Sequence, residues 1–208
     1  MKQPQTKHKT TRLERYLPWL LLVGGIIGLI CSLVIAVDEF KLLHNASFKP
    51  GCDLNPIISC GSVMQSPQAH AFGFSNPFIG LMAFPVLITL GAMLLAGLKV
   101  TKRWFWLGLQ AGALFGVLFI HWLFYETVYR IHALCPYCMV VWAITITTFW
   151  YVTLYNIQAG YIPLHGKWAA AGHFVQRHHL DILVVWLLAI ALLILKHFWY
   201  YFGRSFHL

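Results

Sequence analysis

Four of the five cysteines in the 208-residue chain form two closely spaced pairs, and thiols so arranged can exchange disulfide bonds. Cys135 and Cys138 lie in the sequence Cys-Pro-Tyr-Cys, where two sulfurs can close into a small ring. With Cys135 as the N-cap and Pro136 as the first helical residue, both sulfurs would lie at the positive end of a helix, which favours the thiolate. Because the thiolate is the reactive form, the pattern predicts attack on another disulfide or on a quinone.

The second pair, Cys52 and Cys60, lies in a polar segment between two apolar runs. Two exchangeable pairs on one side of a membrane permit a relay, in which one pair meets a soluble partner and the other meets a membrane electron acceptor. The structural alternative is a static disulfide at each pair. A zinc half-site at Cys135 and Cys138 is disfavoured because zinc prefers a closed shell of four ligands, and no metal site is expected. Cys31, within an apolar run, is interpreted as a small buried hydrophobic residue.

The composition indicates that these pairs are positioned by membrane helices. The chain is 59% hydrophobic and 10% charged, whereas soluble domains carry about 25% charged residues. Its net charge of +9 does not indicate nucleic-acid binding, because the basic residues lie between apolar runs and form no single stripe.

Five apolar runs are long enough to cross a bilayer, namely residues 17–37, 78–98, 104–125, 134–155 and 182–202. The first run is longer than the apolar core of about 7–15 residues in a signal peptide, so a retained helix is favoured. The fifth run contains Lys196, which can reach the interface beside an aromatic belt of Trp199, Tyr200 and Tyr201. We therefore expect an all-α integral membrane protein, with a four-helix transmembrane bundle plus a fifth transmembrane helix.

Small residues and turn signals refine this organisation. Gly108, Gly112 and Gly116 repeat as Gly-x-x-x-Gly, a pattern that favours close approach of a neighbouring helix. Residues 59–66 predict a short helix, and Ser66 followed by proline predicts the start of another. The expected divisions are a basic tail (1–16), a catalytic four-helix domain (17–155), a loop (156–181), and the fifth helix with a short tail (182–208).

The distribution of Lys and Arg predicts the orientation in the membrane. Most of them lie in the N-terminal tail, in residues 99–103 and in residues 156–180. By the positive-inside rule these segments are cytoplasmic. Both cysteine pairs are then expected on the outer side, where thiols can be oxidised.

Several motifs together resemble the vitamin K epoxide reductase (VKOR) family, in its bacterial branch. They are Cys52-x7-Cys60, Gly61-Ser62-Val63, Phe72-Gly73-x-x-Asn76 with Gly80, and Cys135-Pro-Tyr-Cys138. The resemblance covers about residues 17–155. DsbB-type oxidases use a similar plan but place Cys-x-x-Cys in the first external loop, so the order of the motifs favours the VKOR family.

The resemblance implies a quinone-linked thiol–disulfide oxidoreductase in a bacterial inner membrane, with its redox cysteines facing the periplasm. Cys138 is similar to the cysteine that contacts the quinone. Cys135 is similar to the second cysteine of that pair, which exchanges with Cys60. Cys52 is similar to the cysteine that reacts with the reduced partner protein. Asn76 matches an asparagine that hydrogen-bonds a quinone carbonyl, and Gly80 and Trp142 are expected beside it. The cofactor is then ubiquinone or menaquinone. The partner is a thioredoxin-fold (DsbA-like) protein, expected as a separate chain because this one ends at Leu208.

Two alternatives stay open at this point. One is reduction of vitamin K epoxide by the same cysteines, although Trp142 lacks the aromatic hydroxyl that some family members have there. The other is a non-enzymatic membrane scaffold with two structural disulfides.

The histidines carry further hypotheses. His132 is either a proton shuttle near Cys135 or an interfacial residue, and His121 either faces a polar interior or reaches the headgroups. The remaining candidates, His165, His173, His178 and His179, are interpreted as part of a cationic membrane-surface segment.

Overall fold

A computed structural model describes residues 12–45 and 47–199, and most of these residues are helical. Its α-helices are α1 (Arg12–His44), α2 (Cys60–Met64), α3 (Pro77–Leu95), α4 (Arg103–Tyr125), α5 (Pro136–Gln158), α6 (Lys167–Arg177) and α7 (His179–His197). A 3-10 helix spans Pro67–His70, and a π-helix, Glu126–Ile131, continues α4. Five of these helices are long and apolar enough to cross a membrane, namely α1, α3, α4, α5 and α7. This confirms the prediction of a bundle of four transmembrane helices with a fifth transmembrane helix.

Helix α1 extends well beyond the charge-free run that predicted it. Its 33 residues span about 50 Å, against about 30 Å for the hydrocarbon core of a bilayer. Residues 38–44, expected in a loop, are its last two turns, where Lys41 Nζ lies 3.4 Å from Asp38 Oδ1. Charged residues therefore end the membrane span without ending the helix. The expected tail up to residue 11 lies outside the described residues.

The segment between the fourth and fifth membrane helices is also more ordered than a loop. It contains α6, which exposes Trp168 and Phe174, and α7 begins at His179. Helix α7 ends at His197, so Lys196 lies in its last turn beside exposed Trp199. The predicted belt residues Tyr200 and Tyr201 lie outside the described residues.

Helices α1 and α3 pack with their backbones in close contact. A Cβ atom built on Gly91 of α3 would lie 2.6 Å from the backbone nitrogen of Leu22 and 2.8 Å from the carbonyl oxygen of Pro18, both in α1. Backbone atoms cannot rotate away as a side chain can, so glycine is required there. Helix α1 also packs against α5, and α4 packs against α5, which leaves a space between α3 and α4.

We expect Gly91→Ala to destabilise the bundle by about 1–3 kcal/mol, because the methyl group forces α1 and α3 apart. Gly112→Ala is the matched control, since a Cβ atom there meets nothing within 4 Å. In that variant the better helix propensity of alanine should leave stability equal or higher. The thermal unfolding midpoint in detergent measures both effects, and equal shifts would contradict this account of the packing.

Helix α7 is joined to the bundle through His121 of α4. The His121 Nδ1–H donates to the Val117 carbonyl at 2.7 Å, and the Trp186 Nε1–H of α7 donates to His121 Nε2 at 3.1 Å. Because the indole can only donate, His121 is neutral with its proton on Nδ1. His121 therefore links two helices, and its predicted orientation towards a polar interior or the headgroups stays a prediction.

Candidate redox site

The Cys135–Cys138 segment has the predicted local structure. Cys135 is the N-cap of α5 in extended conformation (φ −104°, ψ 116°), and Pro136 is the first helical residue. The backbone N–H of Cys138 donates to Cys135 Sγ at 3.3 Å, so the sulfur accepts the capping hydrogen bond that a side-chain oxygen accepts at most N-caps. Both thiols are free, with Cys135 buried and Cys138 half-buried.

The two thiols of this pair are not equivalent. The hydrogen bond from the Cys138 side chain lowers the pKa of the Cys135 thiol, and further hydrogen bonds at the start of α5 act in the same direction against the effect of burial. Of the two thiols, Cys135 is therefore the one whose surroundings favour loss of the proton, with the Cys138 thiol as its hydrogen-bond partner.

Cys52 and Cys60 form a disulfide, with their Cα atoms 5.8 Å apart. A carboxylate fixes the loop around it, because Asp53 Oδ1 accepts the backbone N–H of Gly61 at 2.9 Å. Asp53 thus caps this loop. The two short helices that follow begin as predicted, at N-caps Ser59 and Ser66.

A backbone bridge brings the two cysteine pairs together. The N–H of Ser59 donates to the Leu134 carbonyl at 3.0 Å, and the N–H of Leu134 donates to the Ile57 carbonyl at 2.7 Å. The bridge is parallel, so the two segments run in the same direction beyond it. Cys60 comes two residues after Ile58, and Cys135 comes directly after Leu134. Both are almost fully buried, at 0% and 1% exposure, in one packed cluster. The cluster also contains Ile35, Cys52 and Met64.

A cavity of about 560 Å³ lies beside this cluster, bordered by α1, α3, α4 and α5. Both Cys135 and Cys138 line it, and most of its other lining residues are apolar. A volume of this size accommodates a small ring compound, and ligand cavities typically hold about 300–1,000 Å³.

The predicted quinone contacts Asn76, Gly80 and Trp142 all line this cavity. Trp142 is 5% exposed and packs edge-on against Phe124, with ring centroids 5.7 Å apart. A Cβ atom on Gly80 would collide with the Ser32 hydroxyl, so Gly80 also serves the packing of α1 against α3. The structure therefore brings the predicted site residues to one place.

The amide of Asn76 has a structural partner at each end. Its Nδ2 donates to the Gln68 carbonyl at 2.7 Å, and its Oδ1 accepts the N–H of Ala71 at 3.2 Å. These bonds close the loop that covers one end of the cavity. The second Nδ2 proton is the one that can serve a ligand.

The glycine repeat of α4 has a role that sequence reasoning missed. Cβ atoms built on Gly108 and Gly112 meet nothing within 4 Å, and both glycines line the cavity. The predicted close helix approach is therefore wrong for these two. The predicted close approach of a neighbouring helix is found at Gly116, where a Cβ atom would lie 3.1 Å from Cγ2 of Thr145 in α5.

Glu39 is a second residue that sequence reasoning missed. It was expected in a loop, but it lies on α1, is 5% exposed and lines the cavity. Its carboxylate accepts a hydrogen bond from Ser75 and lies 2.9 Å from His70 Nε2. The sequence pattern that could have identified Glu39 is the spacing of Ser32, Ile35 and Glu39, which places all three on one helical face.

His132 does not face the cavity. It has a left-handed backbone (φ 57°), and its Nδ1 lies 3.0 Å from Nε2 of His197, with the two rings stacked. His132 therefore links the segment before Cys135 to α7, and the hypothesis of a proton shuttle stays a prediction. Within residues 12–45 and 47–199, no group of three or more potential ligands is placed to hold a metal ion.

Comparison with known proteins identifies the architecture around these cysteines. The profile of the Vitamin K epoxide reductase family matches residues 19–153, more than half of the chain. The matched region contains both cysteine pairs, the bridge and the cavity-lining helices, and it excludes α6 and α7. No curated protein matches the chain at a significant level. The chain therefore belongs to the vitamin K epoxide reductase family, and it is a multi-pass membrane oxidoreductase.

Proposed function

We propose that the protein oxidises the thiols of a thioredoxin-fold partner and transfers the electrons to a membrane quinone. Residues 17–155 form the catalytic domain, the N-terminus is cytoplasmic, and the cysteines face the outer side of a bacterial inner membrane. The observation that carries the proposal is the bridge between Ile58 and Leu134, because it brings the loop disulfide next to the Cys135–Cys138 pair, which lines an apolar cavity.

The first step is exchange at the loop disulfide. A thiolate of the reduced partner attacks Cys52, the Cys52–Cys60 bond breaks, and a second partner thiolate releases the oxidised partner. The products are a partner disulfide and the Cys52/Cys60 dithiol, so two electrons have entered the protein. Asp53 keeps the loop in place during this exchange through its bond to Gly61.

The second step passes these electrons to the other pair. Cys60 attacks Cys135 of the oxidised Cys135–Cys138 disulfide, and Cys52 then resolves the mixed disulfide. This restores the Cys52–Cys60 bond and leaves the reduced pair at the start of α5. The position of Cys60 and Cys135 in one buried cluster supports direct transfer, since thiol exchange requires the sulfurs to meet.

The third step uses the cavity. A bound quinone supplies an acceptor for two electrons and two protons. The residues present fit such a ring, because the cavity is apolar and two thiols border it. Cys138 would be the sulfur next to the ring, with Cys135 beside it as its hydrogen-bond partner. As the Cys135–Cys138 bond forms, the two S–H bonds break, and the dithiol gives up the two electrons and two protons that a quinone would take up. Asn76 orients the ring with its second amide proton.

The proposal is tested by supplying the purified protein with a reduced thioredoxin-fold protein and a short-tailed quinone. Quinol and partner disulfide should form in equal amounts over many turnovers. A redox-inert scaffold would yield neither product. Vitamin K epoxide, offered with the same thiols, should not be converted, because Trp142 cannot donate a hydroxyl hydrogen bond; conversion would favour the epoxide reductase alternative.

A further inference from the structure

A buried acid stands close to the proposed quinone site. On α1, Ser32, Ile35 and Glu39 share one face and line the cavity. Ile35 packs in the cluster that contains Cys60 and Cys135. Glu39 follows it by four residues, which is about 6 Å along the helix axis. The carboxylate therefore lies about one turn from the cysteine cluster, at the end of the cavity towards the loop.

Glu39 connects the cavity to water through His70. Its Oε1 lies 2.9 Å from His70 Nε2, and while the Glu39 side chain is 6% exposed, that of His70 is 40% exposed. Oε1 receives no aligned hydrogen bond from the described residues, whereas Ser75 donates to Oε2. Among the described residues that line the cavity, Glu39 is the sole carboxyl group, and none is Lys, Arg or His.

We propose that His70 and Glu39 form a proton relay from the aqueous surface to a quinone bound in the cavity. The inference rests on the proposed function, since it assigns the source of a proton in the reduction of that quinone. Glu39 is the group at the cavity, and His70 acts through it.

The proton balance of the reaction gives this relay a task. Oxidation of the Cys135–Cys138 dithiol breaks two S–H bonds, forms one S–S bond and releases two electrons and two protons. When Cys135 is already a thiolate, one proton has left to water, and the pair can deliver two electrons with one proton. The relay supplies the other proton from water, so uptake equals release. Two new O–H bonds in the quinol complete the balance.

The same contacts would also exist if Glu39 only held the loop that carries His70 and Ser75. Glu39→Gln separates the two roles, because the amide can still accept from Ser75 but cannot transfer a proton. Glu126→Gln is the matched control. Glu126 is also buried, at 7% exposure, and accepts a hydrogen bond from the neighbouring loop residue Gln68, but it does not line the cavity.

The first experiment compares single-turnover quinol formation in pre-reduced wild type, Glu39→Gln and Glu126→Gln. General acid catalysis is worth about 10²–10⁴-fold, so we expect Glu39→Gln to slow this step at least about tenfold. Quinone affinity, measured by quenching of tryptophan fluorescence, and exchange with the partner should stay unchanged. Wild-type rates in Glu39→Gln, or equal losses in the two variants, would overturn the relay while leaving the proposed function intact.

The second experiment uses the exposure of His70. His70→Ala should slow quinol formation, and added imidazole should restore it, because a small base can occupy the vacated and water-accessible position. Imidazole should not rescue Glu39→Gln. Failure of rescue in His70→Ala would remove His70 from the relay. If wild type forms no quinol in these assays, both the relay and the proposed function are rejected.

Discussion

Replacing Cys138 by alanine should abolish quinol formation, with a loss of about 10³-fold or more, because the proposed sulfur contact with the ring disappears. The Cys52–Cys60 bond lies elsewhere and should still exchange with the reduced partner. Cys135 loses the thiol donor of Cys138 but keeps the backbone N–H of residue 138 as a donor and its place at the N-cap. The variant should therefore accumulate reduced Cys52 and Cys60, which thiol alkylation and mass spectrometry can count.

The control for this prediction is Cys31→Ala. Cys31 is also a buried free cysteine, but it lies within α1 and outside both pairs. Its replacement should leave quinol formation near the wild-type rate. Normal turnover in Cys138→Ala would reject the assigned electron path, whereas a loss in Cys31→Ala of the same size would indicate a general effect of core substitutions.

Filling the cavity from α4 should block the quinone without touching a cysteine. Gly112 lines the cavity with open space where a side chain would begin, so Gly112→Leu places an isobutyl group in the void. We expect the Kd of a short-tailed quinone to rise at least about tenfold, equivalent to 1.4 kcal/mol. Exchange between the partner and the loop disulfide should continue at its normal rate.

Ala111→Leu provides the matched comparison. Ala111 is the adjacent residue, is exposed and does not line the cavity, so its leucine should extend away from the void. Its quinone affinity should equal that of wild type. Equal affinity in both leucine variants would show that the quinone binds elsewhere.

The features that sequence could predict are local ones. Cys135 and Pro136 specify an N-cap by residue type alone, and each membrane helix follows from a long apolar run. The end of α1 could not be predicted in the same way. Asp38, Glu39 and Lys41 mark the end of the apolar run, but a helix continues through such residues when it has left the hydrocarbon core.

The features that sequence could not predict depend on distant segments. The bridge joins Ile58 to Leu134, and no pattern in the sequence around either residue predicts that pairing. The glycines of α4 have the same spacing whether a helix or a void lies opposite them, and only the packing of α3 and α4 distinguishes Gly112 from Gly116. Glu39 was missed because its partners His70 and Ser75 are more than thirty positions away.

The burial of the loop disulfide has a consequence for the selection of reductants. Cys52 is 6% exposed and Cys60 0%, so little of the disulfide is open to passing solutes. A tripeptide thiol such as glutathione makes few contacts with a protein surface, whereas a folded protein can offset the cost of exposing the disulfide with its own interface. We therefore expect the buried disulfide to react slowly with small thiols and faster with protein reductants that first dock.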